Sequence, residues 1–336
     1  MVLQITPFQK GVICKTNRLL YLYKKAFLTT IFKYIKEFYR KEFNPLYFLL
    51  ILLMTGTLIY FNYWHGLEIR YVNGGHTRWS RFAGYYLLYF IPFAAAFLLQ
   101  LFFFRDCRYY RNKWFWVILV LAPAFFSLRV NFDFQEYLFA EIWSGDELQF
   151  WNNCLNWVTR TFVVLIPVYF LWRIKDRNNQ PFYGSKKLDN IKPYLLMLLI
   201  MFPLIALAST QNDFLEMYPR ARFLTQLELH SKGWHYFLYE LCYGFDFISI
   251  EFFFRGFLIL SLAKICGTRC IIPMACFYCT IHFGKPMGEA ISSFWGGMLL
   301  GIVSYNTRSV WGGLMIHLGI AWLMEAGGWM GLLLKK

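Results

Sequence analysis

Runs of about twenty apolar residues recur along this chain, separated by short loops rich in Lys and Arg. Most of these runs are long enough to cross the hydrocarbon core of a bilayer as a helix, the one isolated element that satisfies every backbone hydrogen bond within its own segment. Nine runs stand out, at residues 45–64, 83–104, 114–128, 155–172, 193–209, 235–262, 270–283, 289–305 and 311–334. The expected fold class is all-α, a polytopic integral membrane helical bundle of about eight to nine transmembrane helices. Composition agrees, with 58% hydrophobic and only 16% charged residues, where soluble domains carry about 25% charged.

The formal net charge is +15. Such an excess often points to nucleic acid, but here the basic residues sit in short loops between apolar runs. That placement fits the positive-inside rule and contact with anionic lipid, so nucleic acid is not an expected partner. The basic loops 105–113, 173–192 and the one around Lys264 and Arg269 fall on one side if every run crosses and the N-terminus is cytoplasmic. The acidic loop 129–154, with Asp133, Glu136, Glu141, Asp146 and Glu147, then falls on the other. Two details strain this alternation: the seventh run is short, and the terminal Lys335-Lys336 lands on the outer side.

Three regions are read: a basic cytoplasmic arm over 1–44, N-terminal transmembrane helices over 45–209, and a C-terminal core over 236–334. The arm shows no compact apolar stretch with a small-residue cleavage site, so no cleavable signal peptide is expected. Residues 21–39 can be drawn as a basic, aromatic-rich helix lying on the inner membrane face, or as a plain solvated arm. A cell-membrane, multi-pass location follows from the spans.

The C-terminal core holds ionisable groups inside apolar runs. Glu251 and Arg255 are four residues apart, which places them on one helical face within ion-pairing reach. His282 and His317 lie on two further runs, and Glu289 follows His282 by seven residues. Intramembrane charge is costly and usually faces a partner or a wet cavity. Each member has a structural alternative: Glu251 neutralised by Arg255, His282 as a hydrogen-bonded core residue, Glu289 paired with Lys285. Asp246, one turn before Ile250, is a further acid on that face. Cys276-x-x-Cys279-x-x-His282 offers three metal ligands, but no fourth is evident and cysteines pack well in such helices, so neither a metal nor any other cofactor is expected. Gly297 and Gly301 have the small-xxx-small spacing that lets helices approach closely.

The run Glu251-Phe-Phe-Phe-Arg255-Gly256, a histidine about thirty residues on, and His317 in the last run resemble the CAAX protease and bacteriocin-processing family, intramembrane peptidases related to the type II CAAX prenyl endopeptidase. The resemblance covers roughly residues 236–334. The family pattern is two glutamates, three variable residues and arginine; then phenylalanine four residues before histidine; then histidine four residues before asparagine. Here Ile250 stands at the first glutamate, Tyr278 at the phenylalanine and Ala321 at the asparagine. The resemblance implies an endopeptidase in which a carboxylate activates water while histidines position it or stabilise the oxyanion. Glu251, Arg255, His282, His317 and Glu289 are the residues it would use, Glu289 being the leading substitute for the missing acid at 250. The implied partners are a membrane-bound peptide or protein substrate and the lipid bilayer. The departures favour an alternative, a catalytically inactive relative acting as a binding, immunity or assembly protein. A transporter relay is a third reading, but no internal repeat supports it.

Overall fold

A computed structural model describes residues 31–75, 77–188, 190–228 and 232–335. Two compact units are distinguished, Met1–Glu42 and Phe43–Lys336. In the first, residues 31–42 are helical; residues 21–30 of the expected surface helix lie outside the described residues. The second unit is all helical.

Nine of its helices are labelled here: α1 Pro45–His65, α2 Arg78–Phe103, α3 Lys113–Asn131, α4 Gly145–Leu171, α5 Lys192–Ala208, α6 Lys232–Glu251, α7 Ile271–Thr280, α8 Met287–Thr307 and α9 Trp311–Leu334. Local chemistry sets several boundaries. Asn44 caps α1 by accepting from the Leu46 and Tyr47 N–H groups at 3.1 and 3.0 Å, Pro45 opens the helix, and Gly66 closes it at φ 70°. Thr77 and Ser80 form a reciprocal capping box at the start of α2, and Asn112 caps α3.

Five described segments are long and apolar enough to cross a membrane: Pro45–His65, Arg78–Phe103, Lys113–Ala140, Gly145–Asp176 and Lys232–Thr280. The last contains both α6 and α7, and Lys192–Ala208 is a shorter apolar helix. The bundle is thus a polytopic membrane fold with fewer autonomous spans than the nine apolar runs. Helices α8 and α9 fall outside that set because glycines and polar residues such as Glu289, Asn306, His317 and Glu325 dilute their hydropathy.

Contacts between loops fix the alternation. The Gln100 side chain donates to the Arg269 carbonyl at 2.9 Å, Lys264 pairs with Asp176 at 3.5 Å, and Ser309 donates to the Lys186 carbonyl at 2.8 Å. All three basic loops therefore gather at one end of the bundle. At the other end Asn62 donates to the Phe283 carbonyl at 3.0 Å, the Glu228 N–H donates to Asp146 at 2.7 Å, and Lys335 reaches Asn212. Lys335 belongs at that end.

Past Glu251 the α6 backbone widens into π-type turns over Phe252–Ser261, then regains α geometry over Leu262–Cys266. Every residue of Phe252–Ser261 and of α7 is buried. Ten residues suffice for α7 because protein surrounds it, so it need not match the bilayer thickness. Helix α8 packs closely on it: a Cβ at Gly297 would lie 2.8 Å from Tyr278 Cδ1, so a larger residue would push the Tyr278 ring aside. The close-packing expectation for this glycine pair thus holds, and it sets the position of Tyr278.

Candidate active site

Glu251 ends the regular part of α6 and is fully buried. Its Oε1 accepts from His317 Nδ1 at 3.1 Å and lies 3.5 Å from Arg255 Nη1. The carboxylate is the acceptor, so the shared proton sits on Nδ1 and leaves Nε2 as the second working nitrogen of the ring. That Nε2 lies 3.4 Å from the Tyr278 hydroxyl, and the ring packs on Phe247 at 4.4 Å between centroids. Arg255 is also fully buried, with its guanidinium 4.0 Å from the Tyr278 ring centre and no hydrogen-bond partner for Nε, Nη1 or Nη2. The ion pair and the ring face are what offset its burial.

Tyr278 therefore does more than the aromatic exchange in the motif suggests. Its ring carries Arg255, its hydroxyl meets His317, and its carbonyl accepts from His282 Nδ1 at 2.9 Å. A carbonyl only accepts, so the proton of His282 also sits on Nδ1 and its Nε2 is the nitrogen left for a ligand. Tyr278 thus touches both histidines, His282 at Nδ1 through its carbonyl and His317 at Nε2 through its hydroxyl.

His282 and His317 line one cavity of about 300 Å³ together with Glu289, Asp246, Ile250 and Ala321. The structure places His282, His317 and Glu289 on this cavity wall and brings Glu251 and Arg255 together beside His317. Glu251 does not line the cavity; it stands behind the wall and holds His317. Ile250 faces the cavity instead, since neighbouring residues on a regular helix project about 100° apart and the π-type turns begin only after Glu251. Glu289 does face the cavity, but Lys285 stands 3.8 Å from one oxygen and the Tyr218 hydroxyl donates to the other at 3.0 Å. A carboxylate engaged at both oxygens is a weakened base. Asp246 is likewise engaged, with Arg129 Nη2 at 2.5 Å from both of its oxygens.

The three candidate metal ligands do not converge. Cys276 Sγ lies 3.9 Å from Thr55 Oγ1, Cys279 Sγ lies 3.2 Å from the Ala290 carbonyl, and His282 is held by Tyr278. Among the described residues no group of three such side chains could hold a metal ion.

Several cavity residues lie beyond the motif-bearing core: Glu68, Arg129, Arg160, Tyr218 and Arg220. The N-terminal helices therefore complete the cavity wall. Arg160, five residues into the apolar run that starts at 155, turns inward to this cavity. The signal for it was present, a lone arginine within an apolar run.

A glycine defines the floor under Glu251. A Cβ at Gly313 would lie 2.3 Å from Glu251 Oε2, and that carboxylate is held by two partners. Gly313→Ala should displace it from His317, with a stability loss of about 1–3 kcal/mol readable by thermal unfolding in detergent; an unchanged midpoint would contradict this packing. Just beyond α1, burial raises the Glu68 carboxyl above its ordinary value, and the Tyr85 hydrogen bond only partly opposes this. A raised acid favours the protonated folded state, so its contribution is present at low pH and is lost as pH rises past the ordinary carboxylate value. The unfolding midpoint of Glu68→Gln relative to the natural protein should accordingly rise as pH is raised from about 4, the ordinary carboxylate value; a pH-independent difference would refute it.

Residues 233–323 match the family described as Type II CAAX prenyl endopeptidase Rce1-like. The chain thus carries an Rce1-like domain of the CPBP protease family, running from the start of α6 into α9 and containing Glu251, Arg255, Tyr278, His282, Glu289 and His317. No curated protein and no solved structure matches the chain.

Proposed function

We propose that this protein is an intramembrane endopeptidase in which His317, oriented by Glu251, activates the hydrolytic water. The observation carrying this reading is the 3.1 Å bond from His317 Nδ1 to the buried Glu251 carboxylate, with His317 itself on the cavity wall. A carboxylate behind an imidazole fixes its tautomer and raises its basicity, so Nε2 can take a proton from water. His282, with Nδ1 committed to a carbonyl, offers its own Nε2 to hold that water. The hydroxide-like oxygen attacks a peptide carbonyl, and the arginines and lysine around the cavity favour the negative charge that develops. Histidine thereby takes the role that the family pattern gives to the acid at position 250. The substrate is a membrane-bound peptide or protein segment, received in a cavity built jointly by the Rce1-like domain and the N-terminal helices. The basic end of the bundle faces the cytoplasm by the positive-inside rule.

A second reading, a relative that binds a membrane peptide without cutting it, is favoured by Ile250 and Ala321, which present apolar side chains to the cavity. One experiment separates them. The full-length protein in lipid nanodiscs is incubated with a library of membrane-segment peptides, and products are identified by mass spectrometry. Cleavage that disappears in His317→Gln supports the peptidase. Cleavage that appears only after Ile250→Glu and Ala321→Asn are introduced together shows that the natural chain binds without hydrolysis.

A further inference from the structure

Arg160 and Arg220 line the cavity, and among the described residues the Nε of each is buried without a hydrogen-bond partner, while Arg220 Nη2 makes only a weak contact with Met217 Sδ at 3.8 Å. The acids around them are engaged elsewhere: Asp246 with Arg129, Glu289 with Lys285 and Tyr218, and Glu68 with Tyr85. Among the described residues no carboxylate lies within ion-pairing distance of either guanidinium. Glu325 comes near Arg220 only through the backbone, accepting from its N–H at 2.9 Å, and the guanidinium rests 5.4 Å from the Tyr243 ring centre. The backbone of Arg220 is thus pinned, while Glu289 acts on its charge only from beyond ion-pairing distance. Arg129 and Arg220 act on Arg160 as like charges, and Asp246 and Glu136 as more distant opposite ones.

Two guanidiniums on a cavity wall with no carboxylate in ion-pairing reach are costly unless a ligand supplies the opposite charge. The planar fork of arginine matches a carboxylate or phosphate at two points. A short peptide carries the first and a lipid headgroup or free phosphate the second, and the size of the cavity favours the peptide. A cavity of about 300 Å³ is at the small end of ligand pockets and suits a short peptide segment.

We propose that Arg160 and Arg220 form a carboxylate-binding subsite, so that the peptide received in this cavity carries an acidic group beside the bond presented to His317. The carboxylate comes from a chain terminus or from an Asp or Glu side chain. The placement beside His317 rests on the peptidase reading; the carboxylate subsite itself does not.

The test uses the full-length protein in phosphatidylcholine nanodiscs and three apolar pentapeptides carrying a neutral coumarin label. One has a free C-terminal carboxylate, one is amidated, and one is amidated with a single internal Glu. Fluorescence anisotropy should show the terminal acid, the Glu peptide or both binding at least about tenfold tighter than the plain amide, the scale of a charge-assisted hydrogen bond. Whichever peptide gains identifies the source of the carboxylate. Arg160→Gln and Arg220→Gln should each erase the preference, and Arg160→Lys should keep part of it, because lysine retains charge but not the fork. Equal binding of all three peptides, or none, overturns the proposal without reliance on any variant. A preference that survives both Gln substitutions overturns it too, as does binding of inorganic phosphate with no preference for the acidic peptides. Hydrolysis of the same peptides is followed in parallel. Acid-selective binding without cleavage refutes the peptidase and leaves the subsite standing; cleavage indifferent to acidity does the reverse.

Discussion

Replacing His317 with glutamine is expected to lower peptide hydrolysis by about 10²–10⁴-fold, the usual contribution of a positioned general base. The loss should appear in kcat, because His317 acts on the water and not on the peptide's anchoring. Glutamine keeps a polar side chain of similar reach at a partly exposed position, so the unfolding midpoint should move little. Glu289→Gln is the companion measurement. Its carboxylate is already engaged by Lys285 and Tyr218, and its replacement should cost less than about tenfold, well below the loss of a base. If Glu289→Gln proves the more damaging change, the acid at 289 is the base and the histidine assignment fails.

The second large effect concerns stability. Glu251→Leu leaves the fully buried Arg255 with no carboxylate and frees His317 from its anchor. Breaking a buried pair on one side costs about 3–5 kcal/mol, because the remaining charge stays out of water. Arg255→Met should cost similarly, stranding Glu251 and emptying the face of Tyr278. The double variant Glu251→Leu with Arg255→Met removes both charges and should recover much of the loss. Denaturation of the four proteins in one detergent closes the cycle. Additive losses would show that the two residues do not act as a pair.

Legibility from sequence differed between fold and site. The apolar runs disclosed the helical bundle because lipid leaves few options for a crossing segment. The Glu251 and Arg255 pairing was legible from their four-residue spacing, and so was the proximity of Lys285 to Glu289. Tyr278 was not, because its importance comes from α6, α8 and α9 all closing on one ring. Arg220 was hidden, and Arg160 showed only as a lone arginine in an apolar run, for a related reason: they are far from the motif residues in the chain, and only the packing of α4 and of the segment after Tyr218 turns them inward.

By itself the sequence determined the membrane-embedded helical class and the residue types of an Rce1-like core, since local hydropathy and helical spacing act over a few turns. Only the tertiary structure decided which face each residue presents. Glu251 stands behind the wall while Ile250 forms part of it, and Glu289 faces the cavity with both oxygens occupied. Those outcomes depend on contacts between segments distant in the chain, where a rotation of one helical position exchanges a working carboxylate for a structural one.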